Sequence, residues 1–211
     1  MIRTLLCLGT LLSIAGFARP AYADFTIGDP RGDFLSTYTG PAGGDLDVIR
    51  AGVNFTGSEF QFRATFDAAV GTTPGAFYVF GLDRGQGTAR FGAFAPNVVF
   101  DSVVIVRPDG TGTVNNILGG PVTAFTATIS GNTLSADIAA ALLPSRGFAP
   151  GQYTWNLWPR VGSGSNAQIS DFAPDNNNVQ VTSTPAPASA FLLAFGAIGL
   201  AVKRVRRQPA A

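Results

Sequence analysis

Polar and apolar positions alternate most cleanly over residues 59–67. Phe60, Phe62, Ala64 and Phe66 fall on one side, and Glu59, Gln61, Arg63, Thr65 and Asp67 on the other. That two-residue period marks a half-buried β-strand. Ile49, Ala51, Val53 and Phe55 repeat it one segment earlier. Residues 76–82 (AFYVFGL) and 98–106 (VVFDSVVIV) are apolar almost without a break, which predicts central strands covered on both faces. Residues 122–129 and 133–142 alternate again, and Leu134, Ala136, Ile138, Ala140 and Leu142 share a face. The end of that run, ADIAAALLP, also fits a short helix stopped before Pro144. In the last strong strand, residues 153–157, Tyr153, Trp155 and Leu157 share a face, and Trp158 falls on the opposite one.

Glycine- and proline-rich turns separate these runs, at residues 71–75, 84–87 and 108–112, and a tight hairpin is expected at Ser130-Gly131-Asn132. No long amphipathic helix is legible. Seven or more short strands with this punctuation predict an all-β fold, an antiparallel β-sandwich over residues 24–175, expected to be jelly-roll-like. Residues 176–184 are polar and irregular and read as a flexible stalk.

The two ends follow a different logic. Arg3 precedes an apolar run over residues 5–17, and Ala21-Tyr22-Ala23 is an A-x-A site. Residues 1–23 are therefore expected to be a secretory signal peptide, cleaved after Ala23 to leave Asp24 first. At the other end, Pro185-Ala186-Pro187-Ala188-Ser189 leads into an apolar stretch, residues 190–202, and then the basic cluster Lys203, Arg204, Arg206 and Arg207. As a helix, residues 188–202 would span about 22 Å, short of a hydrocarbon core of about 30 Å. The basic cluster orients such a segment with its C-terminus in the cytoplasm.

The tripartite ending of residues 185–207 resembles the PEP-CTERM sorting signal of Gram-negative bacteria, with Ala186 where the common motif has Glu. Pro185, Pro187, Ala188 and Ser189, the apolar helix and the arginine cluster match the pattern. The resemblance implies export, transient anchoring in the inner membrane, processing by an exosortase-type enzyme, and residence at the cell surface or in an exopolysaccharide matrix. A plain C-terminal membrane anchor is the alternative.

Composition narrows the chemistry. All thirteen acidic residues lie between Asp24 and Asp175, against eight arginines and no lysine in that stretch, so the exported part carries about five negative charges. Such a module is a poor nucleic-acid binder, because phosphate contacts need clustered Lys and Arg. There is no His, and the one cysteine, Cys7, lies in the signal peptide. Ser-His-Asp and Cys-His catalysis, disulfides and the usual zinc sites are thereby excluded from the mature module.

Three candidate sites follow. Asp29, Asp33, Asp45 and Asp47 lie in Gly-rich loops ahead of the first core strand, and Asp171 and Asp175 follow the last one. If the two chain ends meet, these loops can supply the oxygens of a structural Ca²⁺; the alternative is that each Asp caps its own turn. The stretch GDLDV before a strand also resembles the start of some extracellular carbohydrate-binding and DOMON-like sandwiches. Trp158 beside Arg160 is the second candidate, as an exposed ring stacking on a sugar; the alternative is a ring covering the rim of the core. The third is hydrolysis by paired carboxylates, with Glu59 the only Glu and with Asp83 and Asp101 beside apolar strands. A buried Asp there would need an arginine such as Arg63, Arg84 or Arg90. The expected function is an exported, non-enzymatic sandwich. A carbohydrate-binding module is the runner-up, and an Asp-dependent hydrolase comes third.

Overall fold

The structure, a computed structural model, describes residues 26–184. The signal peptide with Ala21 and Ala23, and the sorting motif with its apolar helix, lie outside the described residues. Within them the chain is all β, with five single-turn 3-10 helices and no α-helix. No helix among the described residues is long and apolar enough to cross a membrane.

The strands form two six-stranded sheets. The first has the order β1 (Ile27–Gly28), β2 (Val48–Phe55), β3 (Glu59–Phe66), β11 (Thr133–Ala139), β10 (Thr128–Ser130), with β14 (Thr182–Ser183) also on β2. The second has the order β13 (Val179–Gln180), β12 (Thr154–Val161), β4 (Ala76–Asp83), β7 (Ser102–Val106), β8 (Thr111–Asn116), β9 (Thr123–Thr126). A short extra pair joins β5 (Thr88–Ala89) to β6 (Val99–Phe100). Every pairing is antiparallel except β14 with β2.

The alternating segments become strands with one face inward. Val53, Phe60 and Phe62 of the first sheet meet Tyr78, Phe80 and Trp155 of the second in one buried core. Phe62 packs edge-on against Phe80 at 5.1 Å, and Phe66 against Tyr78 at 4.5 Å between centroids. Aromatic pairs in these geometries add about 0.5–1.5 kcal/mol each beyond their area.

Several sequence expectations change. Residues 122–129 are not one strand: the chain breaks at Ala127 and passes from the second sheet (β9) to the first (β10). The run 133–142 is a strand to Ala139 followed by one 3-10 turn, Ala140–Leu142, rather than a helix. Hairpins β2–β3, β7–β8–β9 and β10–β11 dominate, and β12 returns beside β4 to give the single-sheet Greek-key order β12-β4-β7-β8. A jelly roll is built from two Greek keys, so that expectation is replaced by a hairpin-built sandwich. The stalk expected at residues 176–184 is also corrected. Val179–Gln180 pairs with β12, and Thr182–Ser183 runs parallel to the end of β2. Val181 is buried at 3% exposure between them. Period-two patterning does not reveal two-residue strands held by backbone bonds.

The outer face of the second sheet is as apolar as its inner face. Val79, Val103 and Trp158 point there, and loops close over them with Phe91, Phe100, Ile169 and Phe172. Trp158 is 2% exposed and contacts Phe91, Phe100 and Phe172 at centroid distances of 5.0–6.2 Å. Gly81 lies directly beneath it, where any Cβ would strike the indole ring. Of the two readings of Trp158, the structure bears out the ring that covers the core and not the exposed stacking ring. Arg160 donates to the carbonyls of Gly162 (2.6 Å) and Ser165 (3.0 Å), and its guanidinium lies 5.7 Å from the Phe77 ring centroid. It closes the loop after β12.

Asp101 interrupts the run 98–106 between β6 and β7, and it pairs with Arg84 at 2.7 Å with both side chains fully buried. Its carboxylate also accepts the Arg84 and Gln86 amides, and Arg84 reaches the Pro144 carbonyl. Asp83 accepts the Gly85 and Gly87 amides as a turn cap. These two acids are thus structural.

Two stability predictions follow from this packing. Trp158→Ala should cost about 3–5 kcal/mol in denaturant unfolding, and an unchanged midpoint would contradict its place in the outer layer. Asp101→Ala, which strands the Arg84 charge, should cost a similar 3–5 kcal/mol. A loss below about 1 kcal/mol in the same assay would mean that Arg84 finds water on its own.

Candidate metal centre

Three of the six acids singled out in the sequence come together. Asp29, Asp33 and Asp171 each present a carboxylate oxygen, and these oxygens lie within 4.8 Å of one another. The chain positions each of them separately.

Asp29 directly follows β1, and its amide donates to the Ile49 carbonyl at 2.9 Å. A turn at Arg31-Gly32, with Gly32 at φ 79°, reverses the chain toward Asp33. Positive φ there costs Gly nothing and would strain any side chain. Two residues on, the Leu35 amide donates to the Ser170 carbonyl at 2.9 Å, and Leu35 packs on the outer aromatic layer.

Asp171 arrives from the far end of the sequence. Its neighbours Ile169 and Phe172 are buried in that same outer layer. The Ser170 hydroxyl lies within donating distance of the carbonyls of Leu46 (2.8 Å) and Pro159 (3.0 Å), between the 3-10 turn Gly44–Leu46 and β12. Asp171 Oδ2 accepts the Val48 amide at 2.9 Å. Val48 begins β2 at a register shift between Val48 and Arg50, and such a bulge re-aims backbone groups away from the ladder.

Asp47 stands beside the trio. One of its oxygens accepts the Gly32 amide at 2.8 Å. Asp175 is exposed and contributes only its charge. Asp45 belongs elsewhere, which corrects its place in the expected ligand set. Its carboxylate accepts the Gly71 and Thr73 amides, the Thr73 hydroxyl and, at 3.4 Å, the Tyr78 hydroxyl, and so clamps residues 71–73.

The electrostatics are one-sided. Burial, then Asp171, Asp33, Asp175 and Asp47, push the Asp29 carboxyl up to about 8. Burial first, with Asp33 and Asp47 adding to it, pushes Asp171 up to about 7, against the lowering effect of the Val48 amide. Asp33 and Asp47 are also raised, mainly by burial. Arg31 bonds Asp67 at 2.8 Å, and its charge opposes the shift only at Asp47. An arrangement of this kind stores like-charge repulsion that either a proton or a cation relieves.

Sequence reasoning reached the acids but not the groups that hold them. Leu35, Ser170 and Val48 carry no local signal, because the contacts at Asp171 and Ser170 join positions 123–124 residues apart.

The fold and this centre describe an all-β antiparallel module with a buried acidic cluster where its two ends meet. No protein-family model matches the chain. A similarity to the subtilase-type proteinase psp3 of Schizosaccharomyces pombe runs at 36% identity over 85 residues, covering 37% of this chain and 18% of that protein. The chain thus spans under a fifth of that relative's length. The sequence has no His, so its own residues cannot assemble a Ser-His-Asp triad.

The raised carboxyls predict a pH dependence of known sign. Their folded values lie above the ordinary carboxylate range near 4, so the stability they permit is fully present below that range. It is lost as pH rises through about 7 and 8. In metal-free buffer the thermal midpoint should fall between pH 5 and 8.5. A midpoint that climbs over this window would show that the cluster is already neutralised.

Proposed function

We propose that the chain is an exported, non-enzymatic β-sandwich of the cell surface or exopolysaccharide matrix. A signal peptide over residues 1–23 delivers it, and a C-terminal sorting signal over residues 185–207, cut by an exosortase-type enzyme, processes it. The observation that supports this reading is the placement of the chain ends. β1 and β14 lie on the same edge of β2, opposite Arg50 and Ala51 and opposite Asn54 and Phe55 respectively. The A-x-A site ends four positions before Ile27, and Pro185 comes two positions after Ser183. Both cuts therefore fall just outside the last paired residues, and a doubly processed chain keeps every strand of the sandwich.

The non-enzymatic reading rests on residue chemistry. Without His in the sequence, and with Asp83 and Asp101 committed to structure, no nucleophile–base pair stands out among the described residues. A matrix polysaccharide remains the partner that the location suggests, by a contact other than a Trp158 platform.

Intact mass of the protein recovered from its native cells tests the processing. The expected species begins at Asp24 and lacks the C-terminal apolar segment from near Pro187. A population that uniformly retains residues 202–207 would favour a plain anchor.

A further inference from the structure

We propose that Asp29, Asp33 and Asp171, with Asp47 as a neighbouring negative charge, form a Ca²⁺ site that latches the first loop of the sandwich to its last long segment. Three observations converge on it.

The first is geometric. Oxygens on opposite sides of a cation with bonds of about 2.4 Å are about 4.8 Å apart, and the three carboxylates lie within that distance of one another.

The second is the state of the oxygens. Among the described residues, seven buried side-chain polar atoms find no hydrogen-bond partner. Five of them are Asp29 Oδ2, both oxygens of Asp33, Asp47 Oδ1 and Asp171 Oδ1. Asp171 is fully buried and Asp47 is 2% exposed. Unpaired buried carboxylate oxygens are costly, and native proteins leave few polar groups in that condition. Here they concentrate in one place. The neighbouring buried acids show the contrast: Asp45 and Asp101 each have both oxygens paired.

The third is what holds the oxygens in position. In both Asp47 and Asp171 one oxygen is taken by a backbone amide, of Gly32 and of Val48, and the other is left free. The amide fixes the carboxylate; the free oxygen of Asp171 is a ligand, and that of Asp47 adds negative charge beside the ion. This is the outer-shell support that metal sites use.

Calcium suits this set better than magnesium. Mg²⁺ keeps several waters in a strict octahedron, whereas Ca²⁺ accepts six to eight oxygens in flexible geometry. Asp171 is fully buried, while Asp29 and Asp33 are partly exposed, which leaves room for water to complete a flexible coordination shell. The ion would join positions 142 residues apart, Asp29 and Asp171, in a module that has no cysteine for a disulfide. Its effect should concentrate on residues 29–47 and 165–175.

Calorimetric titration of the chelator-treated full-length chain with CaCl₂, and separately with MgCl₂, tests the assignment. Thermal melts and hydrogen exchange with and without Ca²⁺ accompany it. One Ca²⁺ per chain is expected. At a calcium concentration a hundredfold above Kd the midpoint should rise by about 5–10 °C. Exchange should slow at the Gly32, Leu35 and Val48 amides.

Asp33→Asn is the informative variant, because neither of its oxygens has a hydrogen-bond partner to lose. It should fold and bind Ca²⁺ at least about tenfold more weakly. Asp29→Asn serves as a second variant read in the same way. No binding heat together with equal midpoints in EDTA and in Ca²⁺ overturns the site. Binding that both variants leave unchanged overturns its location, and an equal response to Mg²⁺ overturns the choice of calcium.

Discussion

Strand β4 is apolar on both faces, and the rest of the molecule follows from covering it twice. Tyr78, Phe80 and Leu82 point into the core between the sheets, while Phe77 and Val79 point outward. An apolar outer face on a soluble sheet is unstable until something buries it, at about 25 cal/mol per Å². Among the described residues no α-helix covers this face, and loops do it. They bring Leu35, Phe91, Phe94, Ile169 and Phe172 onto Trp158 and Phe100. The first and last long loops thereby meet, and each carries its aspartates with it. Asp33 is two residues from Leu35, and Asp171 adjoins Phe172. The acidic centre is a consequence of how the outer face is closed.

The molecule contains two solutions to buried charge. Arg84 and Asp101 neutralise each other with additional amide and carbonyl bonds, so that neither is left unpaired. A pair of this kind contributes little net stability but is costly to break from one side. At Asp29, Asp33 and Asp171 no arginine forms an ion pair; Arg31 pairs with Asp67 and reaches only Asp47, through its charge. A centre that omits its own counter-charge leaves its stability to solution conditions, either pH or a cation.

The ends of the domain depend on the same edge. β1 and β14 share one side of β2, and the bulge at Val48–Arg50 releases the Val48 amide to Asp171. Loosening the acidic centre would loosen the start of β2 and with it the seat of β1.

The sequence by itself determined the strands whose side chains alternate, β2, β3 and β11, and the central position of β4, because burial of one face or of both writes itself into a two-residue period or into its absence. It also placed the turn at Gly131, the separate face of Trp158, and the list of acids from which the centre is drawn. Only the tertiary structure decided that Trp158 is covered, that residues 179–183 are strands, that the run 122–129 crosses between sheets, and that Asp45 leaves the acidic set while Asp29, Asp33 and Asp171 converge. Those outcomes depend on backbone hydrogen bonds and on packing between distant positions, 28 residues apart for Asp45 and Thr73 and 123 for Val48 and Asp171. Neither leaves a local pattern, because the energy resides in the partner and not in the segment.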